Sequence, residues 1–384
     1  MAPHPQTDQR ETVERLLAGE FPVRQDGIYL NHAAVAPWPR RAGLAAAAFA
    51  DENVTHGSLN YPAWAEAEQA LRGTVASLLN AQAGDIAFLK NTSEGLSVVA
   101  HGFPWKSGDN VVISDEEFPS NRIVWESLAP VGVEVRQVSL GTEPEDALLA
   151  ACDGRTRLLA ISTVEYASGL RMDLLRLGDE CHRRGIALCV DGIQGLGVIP
   201  HDVQAMHIDF LAADAHKWML GPEGIAVFYC SPRWRDRLTL HQFGWHMVEH
   251  AHDFDRKEWE PASNARRFEC GSPNMLGIHI LAASLSLLNE VGIEIVESRI
   301  LANSEFLYEE IAGHRDLVAL STHAPGRVAG IVTFAHRHRS QEELYQLLRD
   351  NKVMCAPRGG GIRFSPHCYN TQDELRAAVE IAAN

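Results

Sequence analysis

The stretch VDGIQGLGVIPHDVQAMHIDFLAADAHKWMLGPEG, residues 190–224, decides how the rest of the chain is read. One apolar run ends just before Asp191. A second, Phe210 to Ala213, comes just before Lys217, twenty-six positions further on (217 minus 191). In a parallel sheet the residues beyond the carboxyl ends of neighbouring strands converge on one crevice. Asp191 and Lys217 are therefore placed to share a site.

The flanking sequence has the rhythm such a sheet requires. Asp85 to Leu89, Asn110 to Ser114, Glu134 to Val138, Leu158 to Ser162, Ala187 to Val190 and Phe210 to Ala213 read as buried strands. Segments such as Tyr61 to Leu79 and Leu174 to Arg184 carry apolar residues at helical spacing between them. Strands alternating with helices predict the α/β class, a mainly parallel sheet with helices on both faces. Beyond Gly277 the rhythm changes to long helical patterns at 277–290 and 293–313, an apolar run at Val328 to Phe334, a helix near 341–350 and a closing helix after Asn370. That pattern predicts a smaller α+β domain. The expected division is a large domain over 25–270 and a small domain made of 1–24 and 271–384. The weakly periodic, His- and aromatic-rich stretch at 240–268 reads as a long loop of the kind that is usually functional.

Bulk properties exclude several classes. A formal net charge of -16 lacks the clustered Lys and Arg that nucleic acid or an anionic membrane would need. Seven cysteines, an odd number with no CxxC pair, fit free thiols in a reducing cytoplasm. The N-terminal MAPHPQTDQRETVERLL has no apolar core behind a basic start, so a secretory signal is not expected. No run approaches the roughly 18 apolar residues of a membrane span.

Lysine and aspartate in one crevice suit pyridoxal phosphate (PLP). The lysine amine holds the cofactor as a Schiff base, and a carboxylate facing the pyridine nitrogen keeps the ring an electron sink. Burial lowers the lysine pKa, so the free amine can attack and later act as a base. The dense pattern His216-Lys217-Trp218, followed by the turn Gly221-Pro222-Glu223-Gly224, strengthens this assignment.

With these motifs the chain resembles the class V aminotransferase group of fold-type I PLP enzymes, which includes cysteine desulfurases, kynureninases and isopenicillin N epimerase-like proteins. The resemblance runs from Tyr29-Leu30-Asn31 to Tyr369-Asn370-Thr371. It implies Lys217 and Asp191 as catalytic residues and Gln194 as donor to the cofactor's ring hydroxyl. Thr92 and Ser93, in Asn91-Thr92-Ser93-Glu94-Gly95, would meet the phosphate at a helix N-terminus, with His216 nearby. Phe118, in Glu116-Glu117-Phe118-Pro119-Ser120-Asn121, would stack on the ring where desulfurases usually have histidine; Phe stacks but carries no proton. Gly271 and Ser272, in Phe268-Glu269-Cys270-Gly271-Ser272-Pro273-Asn274, would reach the phosphate of a partner subunit, making the enzyme a homodimer with shared sites. Arg363 would grip the substrate carboxylate, and Asn31 and His32 would line the substrate side.

Two departures stand out. Tyr166 replaces the asparagine of many desulfurases, and Asp214 stands where they carry a phosphate-binding serine, so Asp214 is expected to point elsewhere or to pair with a cation. The reaction forks accordingly. A class V aminotransferase or a carbon–sulfur lyase working by β-elimination is expected on an amino-acid-like substrate. The alternatives are a cysteine desulfurase with Cys355 as nucleophile, an epimerase or a kynureninase-type hydrolase, and, outside enzymes, a ligand sensor or inactive scaffold. Cys355 lies only eight residues before Arg363 (363 minus 355), and a buried, inert thiol is the default there. Trp245, His246 and Arg358 are candidates for substrate side-chain contacts. His241, His246, His250 and His252 include one i, i+4 pair, but no metal is expected, because PLP chemistry needs none.

Overall fold

The computed structural model describes residues 12–384. Its centre is a seven-stranded sheet of β1 (Ile86–Leu89), β2 (Asn110–Ser114), β3 (Glu134–Val138), β4 (Thr156–Ser162), β5 (Ala187–Asp191), β6 (Phe210–Asp214) and β7 (Ala226–Cys230). The spatial order is β1-β7-β6-β5-β4-β2-β3, parallel from β6 through β3, with β7 antiparallel to both of its neighbours. Strands β2, β5, β6 and β7 are buried at every residue. This is why they read as continuous apolar runs without alternation: helices cover both faces. The run AVFYC of β7 has the same character and adds a seventh strand to the six expected for this sheet.

Alternate residues feed two apolar layers. Ile161, Val190, Leu211 and Val227 point to one, shared with the helices Tyr61–Leu78, Leu174–Arg184 and Met275–Val291. Ile113, Ala160, Ala212 and Phe228 point to the other, shared with Thr92–Gly102 and Ser120–Glu126. The helix Leu174–Arg184 begins and ends where the sequence predicts. The Asp173 side chain accepts from the Arg176 N–H at its start, and Gly185 leaves it at φ 71°.

A separate antiparallel sheet holds Ala356–Arg358, Gly361–Phe364, Val332–His336 and Leu317–Ala319, in that order. Leu344, Leu348, Leu375 and Val379 of the helices Gln341–Asp350 and Gln372–Ala383 pack with it. The chain's early strand Ile28–Tyr29 pairs in parallel with Val353–Met354, and Leu30 enters the same apolar cluster. The segment after Tyr29 is thus held at the boundary between the two sheets.

Among the described residues no single helix is long and apolar enough to cross a membrane.

Candidate active site

The carboxyl ends of β1, β2, β4, β5 and β6 release Asn91–Thr92, Glu116–Phe118, Thr163–Tyr166, Asp191 and Asp214–Lys217 at one edge of the sheet. Lys217 stands on a tight turn. The Leu220 N–H donates to the Lys217 carbonyl at 3.0 Å, and the Gly221 N–H donates to the Ala215 carbonyl at 2.9 Å. Leu220 adopts φ 57°, a left-handed conformation that costs a branched residue energy and persists only where the surroundings enforce it. Trp218, wholly buried, anchors the turn by donating from Nε1 to Gln194 Oε1 at 2.8 Å.

The Lys217 side chain is 8% exposed. Burial pulls its ammonium down to about 8, against the attraction of Asp191. Asp191, the last residue of β5, is pushed up to about 6 by the same burial, although the Ile193 N–H donates to its Oδ1 at 3.0 Å and Lys217 favours its charge. Two groups of opposite sign, each reluctant to ionise, therefore meet in a dry crevice. Phe118 lies over it with its ring centroid 5.7 Å from Lys217 Nζ, and Tyr166 meets the Phe118 ring edge-on at 5.2 Å. Phe118 is 41% exposed, so an apolar ring face is left open beside a buried amine.

The expected phosphate end is more crowded. Gly95 lets the helix Thr92–Gly102 lie close on the sheet, since a Cβ there would fall 2.8 Å from the Ala212 Cβ. Thr92 is thereby brought against Asp214. The Thr92 N–H donates to Asp214 Oδ2 and the Asp214 N–H donates to Thr92 Oγ1, both at 2.9 Å. Asp214 thus takes a backbone donor at the helix start, and its Oδ1 lies 3.7 Å from His216 Nδ1, a buried atom with no hydrogen-bond partner. The Ser93 hydroxyl donates to Ser120 Oγ at 2.8 Å. What this end of the helix retains for an anion is the Thr92 hydroxyl proton and the Ser93 N–H.

Gln194 is committed at both ends of its amide: Nε2 donates to the Ala33 carbonyl at 3.0 Å, and Oε1 accepts from Trp218. One amide hydrogen remains. Gly271 and Ser272 line a surface groove with Lys90, Glu94 and Asn274. Among the described residues no hydrogen bond joins them to the Lys217 cluster.

Arg363 comes from the small sheet and is 2% exposed. Its Nη1 donates to the Tyr166 carbonyl at 2.7 Å, its Nε is buried without a partner, and no carboxylate pairs with it among the described residues. Burial, aided by the positive charge of Arg358, pulls it down to about 10. Asn31 Oδ1 is likewise buried and unpartnered. An orphaned guanidinium near the buried amine of Lys217, with the open ring of Phe118 beside that amine, fits a bound amino acid and its cofactor.

His32 requires a correction. It is fully buried, with Nδ1 against the Ser365 carbonyl and Nε2 against the Tyr369 hydroxyl, each at 2.8 Å, and burial holds it well below its usual pKa. Both ring nitrogens are used, so it braces the chain and does not line the substrate side. His246 is also drawn away, into an ion cluster with Glu269 and with Glu68 and Arg72 of the helix Tyr61–Leu78. Glu68, His246 and Glu269 offer ligand atoms within 4.8 Å of one another, but Arg72 already donates to Glu269 at 2.7 Å and to Glu68 at 2.5 Å. His250 and His252 are exposed. Cys355 is 5% exposed in the apolar cluster on the small sheet, and burial pushes its thiol up to about 12, far from a usable nucleophile.

Two buried acids escaped notice in the sequence. Glu117 accepts from the Ser162 N–H at 2.7 Å and the Ser162 hydroxyl at 2.6 Å, and burial pushes it up to about 8. Both carboxyl oxygens of Glu165 are buried without a partner, and burial together with Glu117 pushes it well above its usual value. The available signal was the pair Glu116-Glu117 at a strand end.

The aminotransferase class-V family profile matches residues 28–377. The chain belongs to the aminotransferase class-V family. A cysteine desulfurase of Klebsiella pneumoniae subsp. pneumoniae is 31% identical, over 84% of this chain and 82% of its own. A protein of Methanothermobacter thermautotrophicus named as a probable cysteine desulfurase is 28% identical, over 94% of this chain and 95% of its own. The crystal structure of the cysteine desulfurase CsdA from Escherichia coli superposes with a TM-score of 0.85 at 25% identity, covering 96% of this chain and 97% of that one. As a class-V aminotransferase family member the chain is a PLP-dependent enzyme of fold-type I, as the motifs around Lys217 imply.

Proposed function

We propose that the protein works at the α-carbon of a carboxylated amino acid, exchanging the amino group or eliminating a β-substituent such as sulfur, without storing sulfur on a protein thiol. The observation that carries this is the buried guanidinium of Arg363, which has no acidic partner and shares a site with Lys217.

PLP, when bound, serves as the electron sink for bonds to the α-carbon. The residues do the rest. An amine lowered to about 8 is uncharged in a usable fraction near neutral pH, so Lys217 Nζ can accept and return the α-proton. Asp191, at about 6, is mostly ionised at neutral pH and presents its charge to a protonated ring nitrogen. Phe118 supplies the stacking face and excludes water, and Gln194 has one amide hydrogen for the ring hydroxyl. Thr92, Ser93 and His216 serve the phosphate, with His216 Nδ1 3.7 Å from Asp214 Oδ1. Arg363 and Asn31 orient the substrate, Arg363 by binding the α-carboxylate.

The placement of Gly271 and Ser272 on a groove, away from the Lys217 cluster, supports a homodimer in which they serve the partner's phosphate. The seven free cysteines fit the cytoplasm. The inert Cys355 argues against the persulfide chemistry of a desulfurase.

The test is incubation of the PLP-loaded protein with cysteine, cystine, S-conjugates, kynurenine and common amino donors, with sulfide, pyruvate and keto acids measured separately. Keto acid or pyruvate formation is expected. A stoichiometric protein persulfide, abolished by C355A, would refute the thiol-free route. Full activity in a species that light scattering shows to be monomeric would refute the shared site.

A further inference from the structure

Arg363 has company on its face of the small sheet. Residues directly opposed in an antiparallel ladder point to the same face, and residues two apart on one strand do as well. The register pairs Ala356 with Arg363 and Arg358 with Gly361. Arg358 and Arg363 therefore rise on one face as diagonal neighbours, roughly 7 Å apart between Cβ atoms. Their opposed residues, Ala356 and Gly361, carry a methyl group and no side chain, while Pro357 and Ile362 point the other way. The two guanidinium groups are thus the only long side chains this hairpin presents there.

The turn holds them in register. Gly359 and Gly360 adopt φ 61° and 76°, the two left-handed positions of a tight hairpin turn. A Cβ on Gly359 would lie 3.1 Å from the Ala167 carbonyl, so the Arg358 end of the hairpin sits against the loop that carries Tyr166. Arg358 is exposed, its hydrogen bond goes to the carbonyl of its own neighbour Pro357, and no carboxylate pairs with it among the described residues. In a chain of net charge -16 this is not for want of acids. Two adjacent cations with no anion between them repel one another unless a ligand supplies the charge.

We propose that Arg358 binds an oxyanion on the substrate's side chain, so that the site selects amino acids with two acidic groups, the α-carboxylate on Arg363 and a carboxylate or sulfur oxyanion on Arg358. This rests on the assignment of Arg363 to the α-carboxylate.

The experiment titrates PLP-loaded wild type, R358Q and R358K with aspartate against asparagine, glutamate against glutamine, and cysteate against serine. Both the cofactor's visible band and the heat of binding are followed. In wild type the acidic member of a pair binds about tenfold or more tighter. R358Q brings that ratio close to one, and R358K restores part of it. The ratio shrinks at high salt, because Arg358 is exposed. The cysteate pair shows whether a sulfur oxyanion serves as well as a carboxylate. Equal affinities in wild type, or a preference that survives in R358Q, overturn the inference and leave the role of Arg363 standing. Binding that is indifferent to the α-carboxyl group, with amines bound as well as amino acids, overturns both.

Discussion

Replacing Arg363 by methionine should separate binding from stability in opposite directions. The guanidinium is 2% exposed, and burial pulls it down to about 10. That displacement corresponds to a cost of about 3 kcal/mol for carrying the unpaired charge in the protein without substrate. Its compensation is one hydrogen bond to the Tyr166 carbonyl at 2.7 Å, a contact of about 1 kcal/mol whose loss leaves that carbonyl unpaired. R363M, similar in length and apolar, should therefore leave the ligand-free protein unchanged or stabilise it by up to about 2 kcal/mol. The same change removes a charge-assisted pair with the substrate carboxylate. Affinity for carboxylated amino acids should weaken by about 2 to 4 kcal/mol, roughly 30- to 1000-fold. Urea unfolding of the protein without substrate and titration of the PLP-loaded protein with an unreactive amino acid read the two effects. A variant that is strongly destabilised yet binds amino acids as before would show that Arg363 serves the fold alone.

Other outcomes follow from the same geometry. K217A should abolish the covalent cofactor adduct recovered after borohydride reduction; mass spectrometry that finds the adduct on another lysine would overturn the assignment. C355A should lose stability of roughly 1 kcal/mol, as expected for a small buried side chain, and keep its turnover of sulfur substrates within a factor of two; a hundredfold loss would restore the nucleophile. E117Q should change how stability depends on pH. The native carboxyl keeps its proton up to about 8, whereas the unfolded one loses it near the ordinary glutamate value, so the folded state binds more protons in between. Stability then falls as pH rises across that window. The melting temperature of cofactor-free E117Q should fall less steeply than wild type over it, and an unchanged slope would contradict a protonated Glu117.

Much of this protein is legible from residues alone, because the sequence signals concerned are local. A strand covered on both faces has to be apolar throughout, so β2, β5 and β6 announce themselves, and the crevice at their carboxyl ends follows from their being parallel. Lys217 and Asp191 are recoverable because each lies within a few residues of such a strand end. The same locality sets the limit of what residues alone can show. His32 sits in a motif that faces the site, but its neighbours Ser365 and Tyr369 are more than 300 residues away, and only their approach shows that both of its nitrogens are used. Asp214 could be marked as out of place beside a phosphate, yet that it caps Thr92 depends on how closely the helix after β1 lies on β6. Glu165 is an ordinary loop acid in sequence, and only its burial beside Glu117 raises its carboxyl well above the usual range. Arg358 and Arg363 are two arginines five positions apart until the hairpin's register sets them on one face. What depends on spacing along the chain was available from the sequence; what depends on desolvation and on contacts between distant segments came only with the tertiary structure, because a charge's cost and a polar atom's partner are properties of its surroundings.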